Sequence, residues 1–365
     1  MTGLLASPAA LTTVTVDDLP ALARGAAVLG TGGGGDPYIG RLLAEQALRE
    51  FGPVPLVSVA DLPADACVFP VAMMGAPTVM VEKTPSVEII GHAVTVLAQY
   101  LGVTPTHIAC IEAGGINSTI PIVAAAQLGL PLVDGDAMGR AFPELQMVLP
   151  TLDGIAATPM SIADEKGNTG VLSTVDNQWS ESLARSLTIT MGCSAIISNY
   201  VMTGAQAAGG LVAGTLSLCA TIGRAVEDAR EVHGDPVEAV RSTLGGRLLH
   251  TGKVVDVARR TTTGFARGEA TITGADGTVV LNFQNEHLVA WREGIPLVTT
   301  PDLIVVLDSD TGEPVTTETL HFGHRVCVLA APADERWHSP HGIALAGPRY
   351  FGYDTDPVRW NGAAR

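Results

Sequence analysis

The segment HIACIEAGGINSTIPIVAAAQLGLPLVD runs from His107 to Asp134. It opens with an apolar run of strand length, His107 to Glu112. Ala113-Gly114-Gly115-Ile116-Asn117 then breaks the run. Thr119 to Leu128 has the pattern of a buried helix, and Pro131 to Asp134 that of a second strand. Strand, turn, helix and strand in this order form a βαβ unit, and parallel strands require such a crossover.

Working upstream, the same rhythm continues. Pro55 to Val59 and Ala66 to Met74 read as strands, and Pro85 to Leu101 as a helix. Thr15-Val16-Asp17-Asp18 resembles a helix cap leading into Ala21 to Leu29. A second helical pattern runs from Tyr38 to about Phe51. Downstream of Leu248 the texture changes. Short strand candidates at 254–257, 268–272, 278–283, 287–291, 303–307 and 325–329 are separated by turns such as Ala275-Asp276-Gly277. The expectation is an α/β protein: an N-terminal α/β domain (1–165) with a mostly parallel or mixed sheet, a helical connecting region (166–247), and a C-terminal β-rich domain (248–365).

Composition limits the function classes. In 365 residues, 47% are hydrophobic and 16% charged, the balance of a large folded core. With 21 basic and 37 acidic side chains, the net charge is −16. No basic run exists to displace counterions from phosphate, so nucleic acid is excluded as a partner and an anionic membrane surface disfavoured. The stretch Ser186 to Gly223 carries no charged residue, yet its Gly, Ser and Thr content and the Gly209-Gly210 pair suit buried globular elements better than a membrane span. Five cysteines without a CxxC pair read as reduced thiols, and no basic n-region marks a signal peptide, so a cytoplasmic location is expected. Few charges among many apolar residues predict buried contacts between copies, hence a homo-oligomer.

Three motifs carry chemistry. The first, Gly30-Thr31-Gly32-Gly33-Gly34-Gly35-Asp36-Pro37, precedes a helix. Residues without a β-carbon let backbone N–H groups approach a ligand, so Gly32, Gly33, Gly34, Gly35 and Asp36 are substrate-binding candidates; the alternative is a structural turn. No Walker lysine follows, and a helix precedes the loop where a dinucleotide fold needs a strand, so a nucleotide is disfavoured. The second, Glu112 to Ser118, sits at the carboxyl end of a strand, where α/β sheets collect ligands. Glu112 is a candidate base or hydrogen-bond acceptor, with Gly114, Gly115 and Asn117 as binding groups; helix capping is the plain alternative. The third is Asp134-Gly135-Asp136-Ala137-Met138-Gly139-Arg140, continuing to Glu144. Asp134 and Asp136 share one side of an extended segment, where paired carboxylates bind a metal or share a proton. Met138 and Arg140 are candidate substrate contacts, Arg140 as a bidentate carboxylate clamp. A salt-bridged turn is the competing reading.

Two weaker candidates remain. Cys193, in Thr190-Met191-Gly192-Cys193-Ser194, is a nucleophile if its thiolate is stabilised and otherwise a small core residue. His321 and His324, two residues either side of a turn, offer metal ligands or turn residues. The acidic motifs admit a divalent metal without identifying one.

Taken in order, the three motifs resemble the S-methyl-thiohydantoin desulfurase-like family, whose members are encoded near hydantoinase and oxoprolinase genes. The resemblance spans most of the chain. It implies a hydrolase-like enzyme for a small cyclic amide or thioamide, removing sulfur from a thiohydantoin to leave a hydantoin. The neighbourhood also implies a second class, a non-catalytic binding subunit of a hydantoinase-type partner. In the enzymatic reading, Glu112, Asp134 or Asp136 activates water, or Cys193 attacks first.

Overall fold

A computed structural model describes residues 10–35, 37–75, 87–262 and 265–361. Its first sheet has ten strands. In chain order these are β1 (Thr13–Val14), β2 (Val54–Ser58), β3 (Cys67–Gly75), β4 (His107–Cys110), β5 (Leu132–Asp136), β6 (Met160–Ala163), β7 (Thr169–Leu172), β8 (Ser194–Ser198), β9 (Met202–Thr203) and β10 (Val212–Ala213). The path is β1-β2-β5-β4-β3-β8-β6-β7, with β10 beside β5 and β9 beside β3. Its middle is parallel: Leu56 pairs with Leu132, Ile108 with Leu132, and Phe69 with Ile108. β3 turns antiparallel against β8, so the sheet is mixed.

The central strands read as continuous apolar runs because helices cover them. β5 is buried at every residue, and β3 at all but its two ends. The crossover helix Ile120–Leu128 is buried over its first seven residues, which explains why its sequence has no polar face. The expected helix from Pro85 is observed as Glu88–Leu101; residues 85 and 86 lie outside the described ones.

The second sheet is wholly antiparallel. It comprises β11 (Arg247–Thr262), β12 (Phe265–Gly274), β13 (Gly277–Gln284), β14 (Glu286–Arg292), β15 (Ile295–Thr299), β16 (Leu303–Asp308) and β17 (Arg325–Ala331), ordered β15-β14-β13-β12-β11-β17-β16. The sequence suggests a short strand at 254–257; the structure shows a far longer one, β11, bent by irregularities at Leu248/His250 and Val254/Asp256.

β16 and β17 join the two halves. Leu303, Val305, Leu307, Cys327, Leu329 and Ala331 pack into the main core, while Ile304, Val306, Val326, Val328 and Ala330 pack into the core of the second sheet. Side chains alternate across a strand, so an unbroken apolar run such as Leu303 to Leu307 is what two opposed cores require.

The region 166–247 holds helices Asn177–Thr190, Gly204–Gly210, Thr215–Glu231 and Pro236–Thr243, and also supplies β7 to β10 to the first sheet. Its uncharged stretch is thus divided among the end of helix Asn177–Thr190, the largely buried β8, the short β9 and β10, helix Gly204–Gly210 and the start of helix Thr215–Glu231. Among the described residues, no helix is long and apolar enough to cross a membrane.

Helices Leu19–Leu29 and Thr215–Glu231 cross at backbone contact. A Cβ on Gly25 would stand 1.8 Å from the Cys219 carbonyl oxygen, and one on Gly223 would stand 1.9 Å from that of Ala21. Gly25→Ala therefore forces the helices apart and is expected to cost about 1–3 kcal/mol in urea unfolding. An unchanged unfolding midpoint would show that the helices can separate freely.

Candidate active site

The three motifs meet. Gly34, Glu112, Ile116, Asn117, Met138 and Phe142 through Leu145 line one cleft, and Asn285 and Glu286 close it from the second sheet. Backbone interlocking brings them together. Ile116 N–H donates to the Gly34 carbonyl at 2.9 Å, and Ala141 N–H to that of Leu29 at 3.1 Å. A Cβ on Gly115 would lie 2.1 Å from the Gly34 oxygen and 2.7 Å from that of Gly35, and one on Gly114 would lie 2.8 Å from the Ala141 Cβ. The glycine loop therefore packs backbone to backbone against the second motif, which accounts for the bare Gly115, as the Ala141 contact does for Gly114. Thr31 and Gly32 reach the other domain: His287 N–H donates to the Thr31 carbonyl at 2.8 Å and Thr317 N–H to that of Gly32 at 2.8 Å.

Four glutamates line the cleft. Glu144 accepts from Gln146 and Tyr350, and Glu181 from Arg185 and the Leu145 N–H, which leaves Glu112 and Glu286, one from each domain. Glu112 follows β4; its Oε1 accepts from Asn117 Nδ2 at 2.6 Å. Asn117 is itself fixed to β3, accepting from Met73 N–H at 2.7 Å and donating to the Met73 carbonyl at 3.2 Å. Burial, opposed by that Asn117 bond and reinforced by Asp136, pushes the Glu112 carboxyl up to about 8. Glu286 opens β14 and is held well above the ordinary carboxylate range by burial first and by Glu112 next, against the attraction of Arg140 and the Gly34 amide. Its Oε2 is buried without a hydrogen-bond partner among the described residues. Gly33 lies beneath it: a Cβ there would come 2.0 Å from Glu286 Oε1.

Asn199 adds a second unsatisfied group. It is fully buried, it lines the cleft, and neither Oδ1 nor Nδ2 has a partner among the described residues. Arg185 brings the cleft a cation: it pairs with Glu181, lies 4.2 Å from the Phe265 ring centroid and donates to the Pro143 carbonyl at 3.4 Å. Ala72, Met73, Met74, Ile111 and Ile197 supply an apolar wall.

Other sequence candidates stand elsewhere. Asp134 accepts from the Leu216 and Ser217 N–H groups, each at 3.1 Å, and from Ser217 Oγ at 2.6 Å; it seats the start of helix Thr215–Glu231. Asp136 accepts from Ala113 N–H at 2.9 Å, Met138 N–H at 3.1 Å and Gly139 N–H at 2.9 Å, tying the second motif to the third. Burial, offset by these bonds, raises it to about 6. Neither aspartate lines the cleft.

Arg140 is completely buried, and all five of its N–H donors are engaged. Nε donates to the Ala141 carbonyl (3.0 Å), Nη1 to those of Pro301 and Asp302 (3.1 and 2.7 Å), and Nη2 to Thr31 Oγ1 and the His287 carbonyl (2.8 and 3.2 Å). No donor remains for a substrate carboxylate, so the clamp expected from sequence is instead a clamp between domains. Cys193 is half-buried in a left-handed conformation (φ 66°) before β8, its carbonyl against Gly75, and does not line the cleft. Asp36 lies outside the described residues. His324 Nε2 stands 3.4 Å from Asp308, with its ring centroid 4.6 Å from that of His321. Among the described residues no group of three or more His, Cys, Asp or Glu side chains is arranged to hold a metal ion.

Glu286, Asn199 and Arg185 are the cleft residues that sequence reasoning misses. Glu286 sits between two strand patterns and reads as a turn residue. Its signal would have been the Asn285-Glu286-His287 polar cluster, unusual between strands this apolar.

Residues 17–174 match the S-Me-THD-like N-terminal domain and residues 175–359 the S-Me-THD-like C-terminal domain. The chain belongs to the S-Me-THD-like family. A crystal structure of a protein from Chromobacterium violaceum aligns with this S-Me-THD-like chain at a TM-score of 0.78 and 25% identity, over 93% of this chain and 97% of that one. No curated protein matches it.

The raised Glu112 carboxyl has a thermodynamic consequence. In the unfolded chain it titrates near 4.5, and in the fold near 8. Between those values the native state binds the extra proton, so its stabilising contribution is complete below 4.5 and declines as pH rises towards 8. Wild-type stability is therefore expected to fall relative to E112Q across pH 4.5–8 in urea titrations. Parallel curves would place the Glu112 carboxyl at its ordinary value.

Proposed function

We propose that this S-Me-THD-like chain is a hydrolase that removes sulfur from a thiohydantoin-type ring. The observation that carries the reading is the buried Glu112–Glu286 carboxyl pair facing one cleft across the two domains. Two buried carboxyls that repel each other do not ionise together; the pair loses one proton first and then holds one acid beside one base. Glu112, bonded by Asn117, is the group that ionises first and takes a proton from water. Water oxygen bonds to the ring carbon that bears sulfur. Glu286 protonates the sulfur. The added hydroxyl gives its remaining proton to that sulfur, or to the ring nitrogen of an S-methyl substrate, as the ring C=O forms and the carbon–sulfur bond breaks. The proton held by Glu112 then passes to Glu286. Thiohydantoin and water give hydantoin and hydrogen sulfide; an S-methyl substrate gives methanethiol. The Gly34 N–H donates to Glu286 and steadies its carboxylate once the proton has been given up. Asn199, with one free donor and one free acceptor, matches the N–H and C=O edge of a cyclic amide. Arg185 suits a carboxylate tail on the ring.

Sulfide and methanethiol release from thiohydantoin and S-methyl-thiohydantoin propionates tests this reading. Release above the uncatalysed rate is expected, with E112Q and E286Q each lowering kcat/KM by about 10²–10⁴-fold. The kcat/KM profile should climb as pH rises to about 8, where Glu112 ionises in the free enzyme. Release that survives undiminished in both variants would overturn the assignment, as would no release from either substrate.

Asn199→Leu separates recognition from folding. Removing an unsatisfied amide should leave thermal stability equal or higher while raising KM. Lost stability with KM unchanged would make Asn199 a structural residue.

A further inference from the structure

A second groove lies along the outer part of the antiparallel sheet, on the strands that lead into the Gln284-Asn285-Glu286 turn. Arg259, Arg260 and Arg267 line it. Several arginines of this acid-rich chain pair with carboxylates: Arg24 with Glu227, Arg49 with Glu45, Arg224 with Asp18, and Arg359 with Glu335. The groove arginines are not. Among the described residues, Arg260 and Arg267 make no side-chain hydrogen bond or ion pair, and the Nε of Arg267 is buried without an acceptor. Arg259 is fixed in place by the carbonyls of Thr317 and Leu320.

Gln284 supplies the second observation. It lines the same groove, is 3% exposed, and its amide nitrogen has no acceptor among the described residues. A buried donor left unpaired is destabilising, so a site that keeps it has a reason to present donors. One carboxylate, Glu269, also lines the groove, where it accepts from Asn282 at 3.4 Å; against the three arginines it leaves the lining net positive. Phe351 and Tyr353 form an aromatic side wall.

We propose that this groove is a second binding site, separate from the cleft, for a polyvalent oxyanion carried as phosphate or carboxylate groups. Donors without acceptors, planar guanidinium forks and a net positive lining are the complement of such an anion. The site lies one residue from the turn that carries Glu286, so a bound anion would brace that turn.

Isothermal titration of the full chain with inorganic pyrophosphate and with citrate, against potassium chloride at equal ionic strength, tests this. One saturable site is expected for at least one anion, weakened about tenfold or more in R260Q/R267Q. The tighter of the two probes then names the ligand chemistry. Gln284→Met should weaken binding while thermal stability holds or rises, whereas a merely structural Gln284 would lose stability and keep its affinity. E112Q, altered in the cleft, should bind the anion as wild type does. Absence of saturable heat with both anions, equal affinity in R260Q/R267Q, or loss of binding in E112Q would each overturn the proposal.

Discussion

The buried guanidinium of Arg140 is the constraint on which the site depends. It reaches the glycine loop through Thr31, the carbonyl of His287 at the start of β14, and the Pro301–Asp302 turn. These acceptors belong to both halves of the chain. A charge this deep is tolerated only when every donor is satisfied. The requirement runs both ways: Arg140 holds the halves in register, and the register alone saturates Arg140. Glu112 and Glu286, which come from different sheets, face one cleft because of that register. Burial, opposed by the attraction of Glu286 and Asp302, brings Arg140 down to about 10.

Trp337 strengthens the same junction. Its indole N–H donates to the Met138 carbonyl at 2.8 Å, and its ring meets Phe142 edge-on with centroids 4.7 Å apart. The third motif is thus pinned at Asp136, Met138, Arg140 and Phe142 in turn. Its two aspartates and its arginine act mainly on the protein's own backbone, while Met138 and Glu144 of the same motif line the cleft.

Much of this was legible in residues alone. His107 to Asp134 shows the βαβ unit because burial on both faces forces an unbroken apolar pattern, and Glu112 and Asn117 stand out at the strand's end. The glycine run was legible as a place of close approach, though part of what it approaches is the second motif and not a ligand. The aspartates were legible as a pair sharing one side. Their roles were not, since the partners of Asp134, Leu216 and Ser217, lie far along the chain. Arg140 looked like a substrate clamp because sequence cannot show that five acceptors already surround it. Glu286 escaped notice because its meaning comes from Gly33, Gly34 and Glu112, all contributed by the other half.

Strand β8 carries one more consequence. It lies between β3 and β6, yet it comes after residue 174, where the first family domain ends and the second begins. A chain cut at that seam would leave β3 with an open edge and strip β16 and β17 of one of their two cores. The two named halves are therefore not interchangeable parts. Neither can be grafted onto a foreign partner, or expressed by itself, without carrying a raw hydrophobic face and an unpaired strand into solvent.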